Sequence, residues 1–373
     1  MLRSEAVVDL AAIAANVGVL RSNTAAGVMA VVKADGYGHG LVPSARAAVA
    51  GGASWLGVAM LEEALALRAA GLTEPVLAWL WTPREIEALR AALAAGIDVS
   101  VSSFRALELV VSTAAELGGT ARVHLKVDTG LSRNGIIAAD WTGLVEAAGQ
   151  AAATGVIEIT GIWSHLACAD SPGHPVNARQ LERFADALAA AKALGVVPEV
   201  RHLANSAASL TLPQAHFDLV RTGIAIFGLS PVPAEDNFGL VPAMTLRSNL
   251  ANVKRVAAGE GVSYGHQYVL QSDSTLGLVP LGYADGIPRA AGNLAPVSVG
   301  GQRYRISGRV CMDQFVVDLG DAEAVEGDEA ILFGPGDRGE PTAHDWAQLL
   351  DTIHYEIVSR IGSRVPRSYL GVR

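Results

Sequence analysis

Eight short β-rich runs alternate with alanine-rich amphipathic stretches through the first two-thirds of the chain, and this alternation limits the fold more than any other feature. The predicted strands are Val28–Lys33, Trp55–Ala59, Val76–Leu80, Ile97–Val101, Val123–Val127, Ile157–Ser164, Val200–Leu203 and Leu219–Arg221. Between them lie predicted helices such as Leu61–Ala70, Pro83–Ala95, Phe104–Leu117 and Ala178–Leu194, several of them stopped by Gly71, Gly96, Gly118 or Gly195. Eight β/α units point to a (β/α)8, TIM-like barrel of class α/β. A doubly wound open sheet fits the same periodicity, though it normally has fewer strands and a glycine-rich first turn.

From about Phe238 the texture changes to short β-rich runs broken by Gly, Pro, Asn and Asp: Leu276–Pro280, Val297–Val299, Tyr304–Ile306, Phe315–Leu319 and Ala330–Phe333. A helical segment is expected near His344–Arg360. The expected division is therefore a barrel over 10–237 and a smaller, mostly β domain over 238–373, linked by the proline-rich stretch 230–239.

The chain has 373 residues, ample for two domains, and half of them are apolar. No apolar run reaches about eighteen residues, so no membrane span is expected. Arg3, Glu5 and Asp9 interrupt the place where a signal peptide needs its apolar stretch, which suggests a cytoplasmic protein. A net charge of −9, without any basic block, argues against nucleic acid as a partner. The two cysteines, Cys168 and Cys311, have neither metal-ligand spacing nor the number for a disulfide framework, and no metal site is expected.

Chemistry concentrates at the predicted strand ends. In VMAVVKADGYGHG (28–40), Lys33 ends an apolar strand, where burying an unpaired ammonium costs several kcal/mol. It reads either as a lysine snorkelling at a strand end or as an amine whose lowered pKa suits imine formation with an aldehyde. Strand five leads into KVDTGLSRNG with Lys126, Asp128 and Arg133; strand six ends at His165; strand seven at His202, Asn205 and Ser206; strand eight at Arg221 and Gly223. Singly, His165 could be a satisfied core histidine and Arg221 a structural ion-pair partner. Together they share the rim where barrel enzymes place catalytic groups. The segments NSAAS (205–209) and RTGIA (221–225) combine small residues with a hydroxyl, as phosphate-binding loops do. No P-loop and no strand-anchored GxGxxG is present.

These motifs, in order, resemble those of the alanine racemase family, a fold-type III family dependent on pyridoxal 5'-phosphate (PLP). The resemblance runs through VVKADGYGHG, LKVDTGLSRNG, GIWSHLACAD, HLANSAA, VRTGIAIFG, VSYGHQY, LGYADGIPR, GRVCMDQ and YEIVSRIGSRVPR, nearly the whole chain. It implies that Lys33 carries PLP as a Schiff base and serves as base for the D-enantiomer, with Tyr264 as base for the L-enantiomer. Arg221 would donate to the pyridine nitrogen, and His165 would link Arg221 towards Tyr264. Tyr37, Asn205, Ser206, Gly223, Ile224 and Tyr355 would hold the phosphate or line the cofactor. Arg133 and the backbone at Met312 would bind the substrate carboxylate, and Tyr283 and Arg289 would lie in the entry channel. Lys126, His202 and Asp313 would support these groups; Lys126 matches a position that some members carbamylate.

The same resemblance implies interconversion of L- and D-alanine for peptidoglycan and a homodimer in which Tyr264 and Met312 reach the neighbouring subunit's site. It also implies that the first strand, near residues 1–9, joins the β domain. One departure is Leu131, where the family more often has Met, a swap of similar volume. The chemistry favours a racemase, because an arginine at the ring nitrogen leaves that nitrogen unprotonated and the electron sink shallow. A basic amino-acid decarboxylase using Cys311, a broad-specificity racemase and a non-catalytic PLP-binding module remain as alternatives. The β domain carrying Tyr264 counts against the last.

Overall fold

The computed structural model describes residues 3–232 and 237–371, so the middle of the expected linker, 233–236, lies outside the described residues. The chain divides into two compact units. One comprises residues 13–36 and 41–240; the other gathers 1–12, 37–40 and 241–373.

The larger unit is a nearly closed barrel of eight parallel strands with helices between them. With β1 as Ser4–Asp9 in the other unit, the barrel strands are β2 Gly27–Val31, β3 Trp55–Val58, β4 Val76–Ala78, β5 Asp98–Val101, β6 Ala121–Lys126, β7 Ile157–Trp163, β8 Val200–His202 and β9 Leu219–Thr222. They pair in the order β8-β7-β6-β5-β4-β3-β2-β9. The two ends of that series meet: Asp218 N–H donates to the Arg201 carbonyl at 3.0 Å, and Arg221 N–H to the Ala204 carbonyl at 2.9 Å. The TIM-like expectation therefore holds over the open sheet.

The strands read as near-continuous apolar runs because both faces are covered. Every residue of β3, β4 and β5 is buried. Inside, Met29, Trp55, Leu77 and Leu219 form a cluster against which Trp79 and Val200 pack. Helix Phe104–Leu117 shows how the outer layer forms. Ser103 caps its start by accepting from Ala106 N–H, Leu107, Val110 and Ala114 turn one face inward, and Gly118 ends it at φ +65°.

The smaller unit is mostly β. Its six-stranded sheet runs Gln302–Arg305, Pro296–Val299, Glu329–Phe333, Met244–Asn249, β1 and Arg367–Leu370 in spatial order. β1 pairs antiparallel with Met244–Asn249 and parallel with Arg367–Leu370. A three-stranded sheet joins Asn252–Val256, Ser274–Val279 and Phe315–Asp318. The helical segment expected over 344–360 is two helices, Ala343–Leu349 and His354–Ser359. Asp351, at φ +52°, interrupts them, since a left-handed residue cannot continue a right-handed helix.

Candidate active site

Lys33 lies two residues beyond the end of β2, partly buried, with its Nζ 5.9 Å from the centre of the Trp79 ring. The chain after it turns left-handed: Ala34, Asp35 and Gly36 have φ/ψ near +53/+53°, +53/+46° and +61/+44°. Non-glycine residues adopt this geometry at about 1–2 kcal/mol each, so side chains must hold it. They do: Glu63 accepts from Ala34 N–H at 2.6 Å, Asp35 accepts from Leu41 N–H at 2.8 Å, and Gly36 N–H reaches the Val32 carbonyl at 2.8 Å. Burial lowers the pKa of Lys33 first and the charge of Arg133 adds to this, with Glu63 opposing.

The loop after β6 is organised by one carboxylate. Asp128 Oδ1 accepts from the N–H groups of Gly130, Leu131 and Ser132 at 2.8, 3.0 and 3.2 Å. Ile136 then returns, its N–H bonded to the Lys126 carbonyl at 2.9 Å. Arg133 stands exposed on this loop. Lys126 is buried, with Nζ 4.1 Å from the centre of the Trp163 ring, and burial together with Arg221 and Arg133 lowers its pKa to about 7.

Arg221 is buried at the end of β9, and its two terminal nitrogens meet four acceptors. Nη2 donates to the carbonyls of Ser164 at 2.8 Å and Leu203 at 3.1 Å and to Nδ1 of His165 at 3.1 Å; Nη1 donates to Nδ1 of His202 at 3.3 Å. Its face lies 4.8 Å from the Trp163 ring centre. Both imidazoles are held far below their ordinary pKa, by burial first and then by neighbouring charges, and are neutral.

Ser206 Oγ accepts from Gly223 N–H at 2.8 Å, which joins the loops after β8 and β9. Its own proton takes no part in that bond, and Ile224 begins a short 3-10 turn whose first N–H groups have no intrahelical acceptor. Asn205 does something else: its side chain caps helix Ser206–Thr211 by accepting from Ala208 N–H at 3.1 Å. So Lys33, Lys126, Arg133, His165, His202, Ser206, Arg221, Gly223 and Ile224 all come from C-terminal strand ends or the loops that follow them.

The sequence-predicted residues of the smaller unit form a second group. Tyr37 and Tyr355 have ring centroids 6.3 Å apart, and burial raises the Tyr37 hydroxyl above its ordinary pKa. Tyr264 follows Ser263, at φ +64°, whose Oγ donates to the Arg309 carbonyl at 2.8 Å. Met312 is clamped: Tyr283 N–H and Ala284 N–H each donate at 3.0 Å, to the carbonyls of Cys311 and Met312. Gly282 permits this approach, since a Cβ there would lie 2.3 Å from the Met312 carbonyl oxygen. Asp313 accepts from Arg364 at 2.8 Å. Tyr264, Tyr283, Arg289 and Met312 are exposed, Tyr264 at 72%.

Three residues escaped the sequence reading: Glu63, Asp98 and His124. Asp98 and His124 are polar residues buried inside barrel strands rather than at their C-terminal ends. Among the described residues no group of three His, Cys, Asp or Glu side chains could hold a metal ion, and no helix is long and apolar enough to cross a membrane.

A barrel with a lysine, a buried arginine and a phosphate-sized loop pair at one rim, joined in sequence to a β domain, defines a class also met in the comparisons with known proteins. Residues 8–231 match the model of the alanine racemase N-terminal domain and residues 243–369 that of the C-terminal domain. Alanine racemases of Frankia casuarinae and Thermobifida fusca are each 58% identical, covering 99% of this chain and 97% and 98% of theirs. The crystal structure of alanine racemase from D-cycloserine-producing Streptomyces lavendulae superposes with a TM-score of 0.97 at 56% identity, covering 100% of this chain and 98% of that one. The chain belongs to the alanine racemase family and is an amino-acid racemase.

Proposed function

We propose that the protein interconverts L- and D-alanine with PLP held at Lys33, using Lys33 and Tyr264 as two bases on opposite faces of the substrate. The observation that carries this reading is the acceptor-only surround of Arg221. A guanidinium held by two carbonyls and two neutral imidazoles stays cationic and can present only N–H donors to a ring nitrogen. Bound PLP supplies an electron sink for the Cα–H bond, and a donor that never yields its proton keeps that sink shallow, which favours simple proton return.

The residues present fit such a cofactor. Lys33 has an amine whose pKa burial lowers, which favours the neutral nucleophilic form. Ser206, Gly223 and Ile224 offer a hydroxyl and backbone N–H groups suited to a phosphate. Tyr37 and Tyr355, whose rings lie 6.3 Å apart, carry hydroxyls that would suit the same group. Arg133, free of carboxylate hydrogen bonds among the described residues, suits the substrate carboxylate, and Lys126, His202 and Asp313 support the groups around it. Tyr264 removes or returns the Cα proton on the face opposite Lys33.

Tyr264 and Met312 are exposed on the single chain, consistent with a homodimer in which each completes the partner's site. A relative from Bacillus anthracis, 33% identical, was solved with bound L-Ala-P, which supports alanine as the substrate.

The test is a coupled assay of L- to D-alanine conversion beside a visible absorbance scan for bound PLP. Tyr264→Phe should lose L-to-D turnover with PLP retained, and near wild-type rates would remove Tyr264 from the pair. Mixing Lys33→Ala with Tyr264→Phe protein should restore activity through hybrid dimers. No restoration would place both bases on one chain.

A further inference from the structure

A line of hydrogen-bonded side chains crosses the barrel interior from Arg221 to the N-terminal ends of the strands. Nη1 of Arg221 meets Nδ1 of His202 at 3.3 Å, Nε2 of His202 meets Nδ1 of His124 at 2.8 Å, and Nε2 of His124 meets Oδ2 of Asp98 at 3.1 Å. Asp98 Oδ1 then accepts from Nε of Arg122 at 3.0 Å, and Arg122 reaches Glu158 and Glu199 at 3.2 and 3.3 Å. His124 and His202 are fully buried, and Asp98 nearly so.

The protons in this line are determined by its first member. Arginine only donates, so Nδ1 of His202 is an acceptor and its single proton sits on Nε2. That proton is donated to Nδ1 of His124, which is therefore also an acceptor, and the His124 proton sits on Nε2, pointing at Asp98. Every bond runs the same way and ends on a carboxylate. Because Nδ1 of His124 accepts, its Nε2 proton is the one that meets Asp98.

The barrel is shaped around this arrangement. Gly161 pairs with His124 across β6 and β7, and a Cβ at Gly161 would stand 2.1 Å from Nδ1 of His124. Trp163 stacks on His202 at 5.5 Å with an interplanar angle of 5°, and Trp55 meets His124 edge-on at 5.4 Å. Arg221 has no carboxylate partner of its own among the described residues. Its counter-charge, Asp98, reaches it through two imidazoles.

We propose that Asp98, His124 and His202 are positioning residues for racemisation, a one-way donor chain that fixes the protons and orientation of Arg221. The proposal rests on the reading of Arg221 as the donor to the cofactor's ring nitrogen. Asp98, which only accepts, closes the line in the direction that the donor-only Arg221 imposes; a reversed chain would aim the His202 Nδ1 proton at a guanidinium N–H, two donors facing each other in a buried site. The carboxylate thus acts on the cofactor's environment from the far end of the line.

Side-chain 15N spectra of histidine-labelled protein, with and without PLP, test the proton assignment directly. Spectra of His124→Gln and His202→Gln identify the resonances. Both rings should be protonated at Nε2 with Nδ1 bare; an Nδ1 proton at either ring overturns the proposal. In Asp98→Asn, of nearly equal volume, the rings should keep the direction that Arg221 imposes while the line loses the carboxylate charge at its end. The bound-PLP band should shift and kcat should fall about tenfold with KM little changed. An unaltered band and kcat in this variant would reduce the line to scaffolding and refute the positioning role. Should Asp98→Asn fail to fold, the wild-type spectra still decide. A protein that binds no PLP at all would end the functional reading, while the tautomers of the cofactor-free chain would stand or fall separately.

Discussion

Nζ of Lys126 lies 4.1 Å from the centre of the Trp163 ring, so a buried ammonium faces a π surface rather than a carboxylate. The ring returns about 1–2 kcal/mol, whereas withdrawing the charge from water costs several. Desolvation wins, with Arg221 and Arg133 adding to it, and the pKa falls to about 7.

That shift makes stability depend on pH. Between about 7 and the ordinary 10.5, the unfolded chain binds a proton that the folded chain does not. Stability therefore rises as pH climbs through this window and is lost as pH falls towards 7. Replacing Lys126 with Met should remove that rise, roughly a few kcal/mol. Urea unfolding at about pH 6.5 and 9.5 measures it; an unchanged difference between the two would absolve Lys126.

Arg221→Lys keeps the charge but offers three protons from one atom to acceptors that a planar fork spans. The acceptors left bare should cost about 2–4 kcal/mol and lower kcat at least about tenfold. Thermal unfolding and steady-state kinetics read the two effects.

Gly161→Ala drives a methyl group into His124. The cost should be about 2 kcal/mol or more, because Trp55 and His202 meet the His124 ring edge-on and both its nitrogens are hydrogen-bonded, which leaves little room to yield. A variant as stable as wild type, by thermal unfolding, would mean that the ring moves freely.

Ser206→Ala removes the acceptor of Gly223 N–H, a bond of 2.8 Å. About 1 kcal/mol of stability should go, and PLP should dissociate faster, followed by loss of its fluorescence. Retention equal to wild type would take the Ser206 hydroxyl out of the phosphate site.

The barrel was legible because parallel strands buried on both faces appear as unbroken apolar runs, and all eight predicted runs coincide with strands to within a few residues. The rim residues were legible for a related reason: Lys33, Lys126, His165 and Arg221 each stand where an apolar run stops. The smaller unit was harder to read. Met244–Asn249 buries Ser248 as well as Leu246, so polarity does not mark its inner face. Asp98 and His124 were missed because their meaning lies in pairing across strands, 26 residues apart in sequence. Asn205 caps a helix through its side-chain oxygen, a role that Asn before a helix suits and that leaves its NH2 group free of that bond.

β1 has one neighbour that starts at Met244 and another that ends at Leu370. During synthesis, at about 5–20 residues per second, its backbone waits roughly 20–70 s for the second of these to emerge. Until then residues 4–9 are an open strand edge carrying Val7 and Val8. The barrel, complete in sequence at Thr222, is thus able to close well before β1 has both of its neighbours. Deletions at the extreme C-terminus should therefore be felt first at the N-terminus, as aggregation of newly made chains rather than as damage to the barrel.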